Sequence, residues 1–497
     1  MSLVPLQLPP GLERNGTAYE TPDRWYDMNL IRWQSGSVKP IGGWQYLSTV
    51  SGAVRKIFVW RTNDNSRGVL VGSDTKLYCD QGSYTDITPA SFVTLSSIGI
   101  AGGFGTFAFS DYTFGTARAT PSPIFSPYAF WTFGSWGQDV IACANSDGRI
   151  LQYIAATPTV APLAITGAPT GNTGIVVTDE RHVMAIGTYN YPRRVAWCSR
   201  EDLTDWNYAS TTNSAGFFDL KVKTPLLKAV NVNEGVLIFS YSEIFLGTYI
   251  GQPYVYNFIP ISDAKMLHPD SIATFNGKAV WMGRDSFQLY ASGNVTALPC
   301  PIFADVAKDM DPIYGAFRTH AAHNGIFSEI WFWYPSVGQT ECDRYVIWNY
   351  AENWWGWGSL SRSAMASADV YLRPYMGGSD GRMYEHESGY TDSGASLVGQ
   401  RWLRSGALGL GSGDRFMEVN QLMAATKGGF GSTTFTFYGK NAPDGPERTF
   451  GPYTPKASGY TDTRVSARES CLKITAAVDD DWSVGKIRLD VRPGSGR

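Results

Sequence analysis

The stretch Gly277-Lys-Ala-Val-Trp-Met-Gly-Arg-Asp-Ser-Phe-Gln-Leu-Tyr290 indicates the fold of this chain. Residues 279–282 are a short apolar run typical of a buried strand. Residues 283–286 have the composition of a tight turn, because glycine tolerates positive φ and an aspartate side chain can bond its own backbone. Residues 287–290 then form a second strand, so the stretch predicts a β-hairpin.

The same pattern of strand, turn and strand recurs along the chain. Clear copies occupy residues 69–78, 142–153 and 375–384, and weaker copies occupy residues 107–114 and 237–246. Gly-Ser-Asp turns are common in β proteins of many kinds, so the spacing of the copies matters more than any single copy.

The acidic residues of these turns recur at a regular interval. Asp74 and Asp111 are 37 residues apart, Asp111 and Asp147 are 36 apart, and Glu243 and Asp285 are 42 apart. A hairpin that recurs about every 40 to 50 residues is typical of a β-propeller, in which each blade is one small sheet. We therefore predict an all-β chain with a propeller of six to eight blades.

Composition divides the chain into three predicted parts. Residues 1–50 are expected to form an N-terminal β arm, residues 51–390 the propeller with inserted loops, and residues 391–497 a C-terminal β-sandwich-like domain. Residues 155–174 carry no charge and predict a long connection or an inserted finger. Residues 299–310 have apolar side chains at helical spacing and predict one of the few helices.

Charge and cysteine usage exclude several classes of protein. The net charge of −3 argues against a surface built to grip nucleic acid, although it permits a channel through which nucleic acid slides. The sequence contains no run of 18 apolar residues, so it predicts no membrane span. Residues 1–10 do not have the pattern of a secretory signal. The six cysteines form no CxxC pair, which indicates free, mostly buried thiols in a reducing cytoplasm, with one scattered disulfide as the alternative.

The common catalytic and metal-binding motifs are missing from the sequence. There is no Walker loop, HExxH, CxxC or Gly-x-Ser-x-Gly elbow. His320 and His323 have a spacing that could place two imidazoles on one helical face, but no neighbouring ligand completes a metal shell. We predict no catalytic, cofactor-binding or metal-binding residue, and therefore no enzyme.

Carbohydrate chemistry is the alternative that stays open. A sialidase-like propeller would need clustered arginines and a Tyr/Glu nucleophile pair, and no local pattern nominates such a pair. The exposed face of a lectin could use neighbouring tryptophans, although such residues are more often core or interface. The candidates are Arg193, Arg194, Arg284 and Arg318 for the sialidase, and Trp354, Trp355 and Trp357 for the lectin.

Blocks of sequence spread over almost the whole chain carry a family resemblance. The N-terminal blocks are Pro10-Gly11, Arg14-Asn-Gly-Thr17, Arg24-Trp-Tyr-Asp27, Asn29-Leu-Ile-Arg32 and Lys39-Pro-Ile-Gly-Gly-Trp44. The central blocks are Ala196-Trp-Cys-Ser199 with Asp205-Trp206, Leu298-Pro-Cys-Pro301, Glu329-Ile-Trp-Phe-Trp-Tyr-Pro335 and Trp348-Asn-Tyr350. The C-terminal blocks are residues 464–468, Trp482-Ser-Val-Gly485 and Arg488-Leu-Asp-Val-Arg-Pro493.

In this order, the blocks resemble the tail nozzle proteins of short-tailed bacteriophages, a family also called tail hub, tail tubular protein B and phage stabilisation protein. Family members often show Arg-Gln after the basic C-terminal strand, where this chain has Arg468-Glu-Ser470, and we interpret the difference as drift.

The resemblance implies a structural virion protein, assembled in the cytoplasm of the host bacterium. Six copies would form a ring at the distal end of the virion tail, below adaptor and head-to-tail connector proteins. The ring would dock tail fibres or tailspikes outside and bound the channel through which double-stranded DNA passes without sequence-specific binding. Which residues line that channel is not predicted.

Overall fold

A computed structural model describes residues 3–14, 16–80, 82–95, 128–263, 266–408, 415–429, 431–442 and 445–494, and these residues are almost entirely β-strand and loop. The predicted all-β class is confirmed. The first five strands are β1 (Leu3–Pro5), β2 (Trp25–Asn29), β3 (Ile31–Gln34), β4 (Ser37–Pro40) and β5 (Trp44–Thr49).

Four-stranded antiparallel sheets follow one another along the chain as the blades of a propeller. Blade 1 is β6 (Val54–Arg61), β7 (Arg67–Ser73), β8 (Leu77–Asp80) and β9 (Tyr84–Asp86). Blade 2 is β10 (Trp131–Trp136), β11 (Asp139–Ala144), β12 (Leu151–Tyr153) and β13 (Leu163–Ala164). Blade 3 is β14 (Gly174–Val177), β15 (Val183–Thr188), β16 (Tyr191–Trp197) and β17 (Gly216–Asp219).

The second half of the propeller has the same organisation. Blade 4 is β18 (Leu226–Val232), β19 (Gly235–Ser240), β20 (Ile244–Gly251) and β21 (Val255–Ser262), and blade 5 is β22 (Ile272–Phe275), β23 (Lys278–Met282), β24 (Phe287–Ala291) and β25 (Asn294–Leu298). Helices α1 (Phe303–Asp309) and α2 (Gly315–Arg318) precede blade 6, which is β26 (His320–Asn324), β27 (Glu329–Tyr334), β28 (Arg344–Asn349) and β29 (Trp354–Ser359). Blade 7 combines β30 (Ala364–Ala366), β31 (Tyr375–Gly377) and β32 (Arg382–His386) with the N-terminal strand β5.

The innermost strands of successive blades contact one another around a closed ring, from β6 through β30 and back to β6. Seven blades are formed by the described residues, within the predicted range of six to eight. Strand β5 pairs with β32, so a segment near the N-terminus supplies the outer strand of the last blade. Strand pairing therefore joins the two ends of the propeller and closes the ring, so that its free edges are the short outer strands of the blades.

The repeated turns occupy one position in their blades, between the second and third strands. Asp74, Asp147, Glu243, Asp285 and Asp380 lie in this turn in blades 1, 2, 4, 5 and 7. Two of these side chains accept backbone amide N–H groups. Asp380 Oδ1 accepts from Arg382 in its own turn at 3.1 Å. The Oδ1 atom of Asp74 accepts the amide N–H that precedes β6 at 2.8 Å.

The sequence spacing predicted two blade steps between Asp74 and Asp147, and this prediction was wrong. Strands β6 and β10 are neighbours around the ring, so the 73 residues from Asp74 to Asp147 make one blade step and not two. The cause is the long connection between β9 and β10. The weak copy at residues 107–114 lies outside the described residues.

The C-terminal strands form a two-sheet sandwich: β33 (Trp402–Ala407), β34 (Met417–Lys427), β35 (Thr433–Lys440), β36 (Arg448–Tyr453), β37 (Thr461–Ala467), β38 (Glu469–Ala476) and β39 (Ser483–Pro493). One sheet has the order β3-β4-β39-β34-β37 with β1 also on β39, and the other has the order β2-β33-β38-β35-β36. Alternate residues of β35 and β37 are buried, as the two-residue period of a half-covered strand requires.

The strands of residues 1–50 are therefore shared between the two bodies and do not form an arm of their own. Strands β1 to β4 belong to the sandwich, whereas β5 belongs to the propeller. Helix α1 lies within the segment predicted as helical, and β13, the outer strand of blade 2, lies within the uncharged segment 155–174. All six cysteines are free, as predicted, and five of them are buried.

Candidate functional site

Among the residues that the structure describes, the innermost strands of the propeller surround a central channel with a cavity of ≈ 590 Å³. Its walls come from the innermost strands of blades 1 to 5. Every blade begins at its innermost strand, and so the N-terminal ends of these strands meet at one face of the ring. Charged residues lie at the beginning of several of these strands or just before it. They are therefore close together around one mouth of the channel.

The first charged group at this mouth is a lysine pair around one buried carboxylate. The Lys228 Nζ atom lies 2.8 Å from Asp270 Oδ1, and the Lys56 Nζ atom lies 3.7 Å from the same oxygen. Burial alone would raise the pKa of Asp270, but the two ammonium groups hold it below its ordinary value. Burial lowers the pKa of Lys228, which also lies over the Phe130 ring at 4.8 Å.

A second charged group joins blade 1 to the β27–β28 loop of blade 6. Both terminal nitrogens of Arg55 donate to the Glu341 carboxylate at 2.7 Å, and Arg318 Nε lies 3.3 Å from it. A bidentate ion pair of this kind restricts the relative orientation of the two side chains more than a single hydrogen bond does. The pair therefore stabilises the contact between two blades that are distant in sequence.

The histidines at the mouth are neutral at physiological pH. Burial lowers the pKa values of His268 and His320 to about 3. His268 Nδ1 accepts the Asp270 amide N–H at 3.0 Å, and His320 stacks on Trp333 with ring centroids 4.7 Å apart. A general acid or base at neutral pH needs a pKa near 7, so these imidazoles serve packing and hydrogen bonding.

The two histidines singled out from the sequence do not share a site. His320 and His323 lie three residues apart on strand β26, so their side chains point to opposite faces of blade 6. The spacing suggested one helical face, which was wrong because the segment is a strand. His323 Nε2 lies 3.1 Å from the Tyr350 hydroxyl. Within the described residues, no group of three or more His, Cys, Asp or Glu side chains could hold a metal ion.

The four candidate arginines bind separate partners or stand on separate blades. Arg194 pairs with Asp219 on the neighbouring strand at 2.8 Å, and Arg193 donates to a backbone carbonyl. Arg318 belongs to the channel mouth, and Arg284 lies in the β23–β24 turn of blade 5. The carboxylate-binding cluster of a sialidase is not assembled by these four residues.

The three candidate tryptophans lie at the junction between blade 6 and the N-terminal strands. Trp354 and Trp355 are only 2% and 3% exposed. The Arg14 guanidinium covers the Trp357 ring at 4.3 Å, and the Trp357 indole N–H donates to Asp27 at 2.7 Å. An exposed sugar-stacking face at these tryptophans, the lectin hypothesis, is therefore contradicted by their burial.

A buried charge triad lies in the same junction. Arg32 Nε lies 2.9 Å from one oxygen of Glu329 on β27, and Arg32 Nη2 lies 2.6 Å from Glu387, which follows β32. The Trp331 indole N–H donates to Glu329 at 2.9 Å. The triad joins a sandwich strand to blades 6 and 7, and the sequence contained no local signal for it.

Glu329 is expected to make folding pH-dependent. Burial raises its pKa to about 7, with a further rise from Glu387, against the opposing effect of Arg32. The folded state therefore binds this proton more tightly than the unfolded chain, in which the pKa is about 4.3. The stability that protonation provides is complete below the unfolded pKa and is lost as pH rises from about 4.3 to about 7.

The Glu329→Gln variant should remove that dependence, because the amide resembles the protonated acid. Scanning calorimetry measures the melting temperature of both proteins at each pH. We expect the melting temperature of the variant minus that of wild type to increase from pH 5 to pH 8. Glu13→Gln, at a partly exposed ion pair with Arg24, is the matched control and should keep the wild-type dependence. Equal pH dependence of wild type and Glu329→Gln would contradict the assignment.

Comparisons with known proteins add little to these observations. No protein-family model matches the chain, and no curated protein matches it.

Among the described residues, none of the helices has the length and apolar character needed to cross a bilayer.

Solved structures with similar folds include the WD40 domain of Pan2 from Neurospora crassa, with a TM-score of 0.41 and 8% identity, covering 71% of this chain and 96% of that one. Another is a catalytically inactive virginiamycin B lyase from Staphylococcus aureus with quinupristin, with a TM-score of 0.33 and 8% identity, covering 69% of this chain and 94% of that one. The strand pairing described above, and not these distant likenesses, establishes that the chain contains a seven-bladed β-propeller joined to a β-sandwich.

Proposed function

We propose that this protein is a structural subunit of a bacteriophage tail, forming the nozzle ring at the distal end of the tail. The proposal rests on where the resembling blocks of sequence lie in the structure. Several of the blocks of sequence that resemble the nozzle family, although far apart in the chain, lie close together at the junction between blade 6 and the sandwich.

One contact joins two of these blocks directly, and two more join a block to a residue close to another block. Arg32, in an N-terminal block, pairs with Glu329, the first residue of a central block. Trp355, just beyond another central block, donates its indole N–H to the carbonyl of Pro299 at 2.9 Å. Val38, at the start of β4, pairs with Val484 of the C-terminal block. The block that contains Trp206 lies apart, in blade 3.

An architectural role suits the chemistry of the junction. Its charges are paired and buried, and its tryptophans pack against one another, with Trp33 and Trp354 in edge contact at 5.2 Å. Groups that hold two bodies in a fixed relation stabilise a subunit against mechanical load. The titratable groups described at the channel mouth are likewise paired or neutral, which favours structure over catalysis.

The net charge supports passage of DNA through a ring. Duplex DNA binds tightly where lysine and arginine neutralise its phosphates, and a chain with a net charge of −3 offers no excess of cations. A lumen bounded by such subunits would let double-stranded DNA slide. Adaptor proteins above the ring and fibres or spikes outside it are the partners that this proposal implies.

Electron microscopy with mass photometry of the purified full chain tests the proposal. We expect rings with a central hole and a mass near six times 54.6 kDa. A chain that stays monomeric at micromolar concentration, both alone and after addition of the tail adaptor complex, would contradict the nozzle assignment. A carbohydrate-handling propeller is the alternative, and a glycosidase screen addresses its enzymatic form.

A further inference from the structure

The central channel of the propeller contains two lysines that share one carboxylate. Lys228 Nζ donates to Asp270 Oδ1 at 2.8 Å, whereas Lys56 Nζ lies 3.7 Å from the same oxygen, which is too far for a hydrogen bond. Lys56 belongs to blade 1 and Asp270 lies just before blade 5, and these two blades are not neighbours in the ring. The Lys56 side chain therefore extends across part of the channel.

The two ammonium groups have hydrogen-bond donors to spare. A lysine ammonium carries three N–H donors. Lys228 uses one of them on Asp270, and Lys56 makes no hydrogen bond to any residue that the structure describes. The Lys56 side chain is 30% exposed, and both lysines line the channel cavity of ≈ 590 Å³. Donors are therefore available to a ligand inside the channel.

Positive charge exceeds negative charge in the two charged groups at this mouth of the channel. Burial lowers the pKa of Lys228 against the opposing effect of Asp270, and the charge of Lys56 lowers it further. An excess positive charge in a partly desolvated position is costly, and a bound anion would offset that cost. The cations are Arg55, Lys56, Lys228 and Arg318, and the carboxylates are Asp74, Asp270 and Glu341.

The spacing of the two ammonium groups suits a tetrahedral oxyanion. Because both nitrogens lie near one oxygen, at 2.8 and 3.7 Å, they are at most 6.5 Å apart. One phosphate or sulfate ion can accept a hydrogen bond of about 2.8 Å from each of two nitrogens at such a separation. The cavity volume is within the range of small-ligand sites. A metal cation would be repelled by both lysines.

We propose that the central channel of the propeller binds one phosphate-type oxyanion between Lys56 and Lys228. The bound ion would balance the excess positive charge and link blade 1 to blade 4 through the two lysines. Free phosphate and the phosphate group of a nucleotide share this chemistry, and the experiment separates the two sources. The site requires only the propeller, so it does not depend on the formation of a ring of subunits.

Titration calorimetry of the full chain at pH 7 and constant ionic strength tests the site, with sodium phosphate, sodium sulfate and adenosine monophosphate as probes. We expect one phosphate or sulfate ion to bind per chain, with a dissociation constant of about 1 mM or tighter. Lys56→Met should weaken binding about tenfold or more, the size of one hydrogen bond to a charged group. The variant keeps the pair of Lys228 with Asp270, so it should fold as wild type does. Lys56→Gln, which retains a polar side chain, should weaken binding to a similar extent.

Lys76→Met is the matched control, because Lys76 is also in blade 1 but is 42% exposed and pairs with Asp86 outside the cavity. It should leave the affinity unchanged. Adenosine monophosphate that binds as tightly as phosphate would support the site and identify phosphate esters as ligands, whereas binding of the free ions alone would support an inorganic ligand. No saturable binding of phosphate or sulfate at about 10 mM would overturn the proposal. Unaltered affinity in both Lys56 variants, or an equal loss in Lys76→Met, would overturn it as well.

Discussion

Replacing Arg32 with methionine is expected to lower the free energy of unfolding by about 3–5 kcal/mol. Arg32 is the cation of the triad, is 2% exposed, and faces both Glu329 and Glu387. Methionine fills similar space but leaves two carboxylates buried together without a counter-charge. Loss of one partner from a buried ion pair costs far more than loss of a whole pair, because the remaining charge stays desolvated.

Urea denaturation at pH 7.5, followed by tryptophan fluorescence, measures this effect. Arg24→Met is the control, since the Arg24 side chain is 48% exposed and its ion pair with Glu13 should contribute less than about 1 kcal/mol. Adding Glu329→Gln and Glu387→Gln to Arg32→Met should restore much of the loss. A loss for Arg32→Met no larger than that for Arg24→Met would show that the triad does not stabilise the junction.

Deletion of residues 1–49 is expected to abolish folding of the propeller as well as the sandwich. The deletion removes β5, which leaves the backbone of β32 in blade 7 unpaired. It also removes the buried side chains of Trp25, Trp33 and Trp44. Truncation of one such tryptophan costs about 3–5 kcal/mol, and a whole domain has only about 5–15 kcal/mol to lose.

Solubility, circular dichroism and calorimetry of the truncated chain test this expectation. Deletion of residues 1–9 is the matched control, because it removes only the short, largely exposed edge strand β1. The control should stay folded, with a melting temperature lowered by only about 2–4 °C. A soluble 50–497 chain that melts cooperatively would mean that β5 is not needed to close the ring.

The propeller could be predicted because its turns have local chemistry. In blade 1, Ser73 Oγ accepts the Lys76 amide at 2.8 Å, and in blade 4 Ser240 Oγ accepts the Glu243 amide at 2.9 Å. Such bonds form within four residues, so the same short pattern recurs wherever the turn recurs. Blade 6 lacks the repeated turn pattern, because its β27–β28 loop is held differently, by the Asp343 carboxylate, which accepts from the amide and hydroxyl of Ser336 at 2.7 Å.

The candidate sites were less predictable, because their members come from distant parts of the chain. Lys228 and Asp270 are 42 residues apart, and nothing in either neighbourhood signals the other. The exposed tyrosines of blades 3 and 4 were not predicted either. Their sequence has the ordinary composition of strands and turns, and only their exposure distinguishes them from core residues.

By itself, the amino-acid sequence determined the all-β class, the repeated blade and the second and third strands of five blades, because turn chemistry and side-chain alternation act over a few residues. Only the tertiary structure decided the number of blades, the division of residues 1–50 between two bodies, and the pairing of Arg32 with Glu329. These depend on contacts between residues as much as 487 positions apart. Over such distances burial, strand pairing and charge pairing select one arrangement, and the local sequence does not indicate the partner.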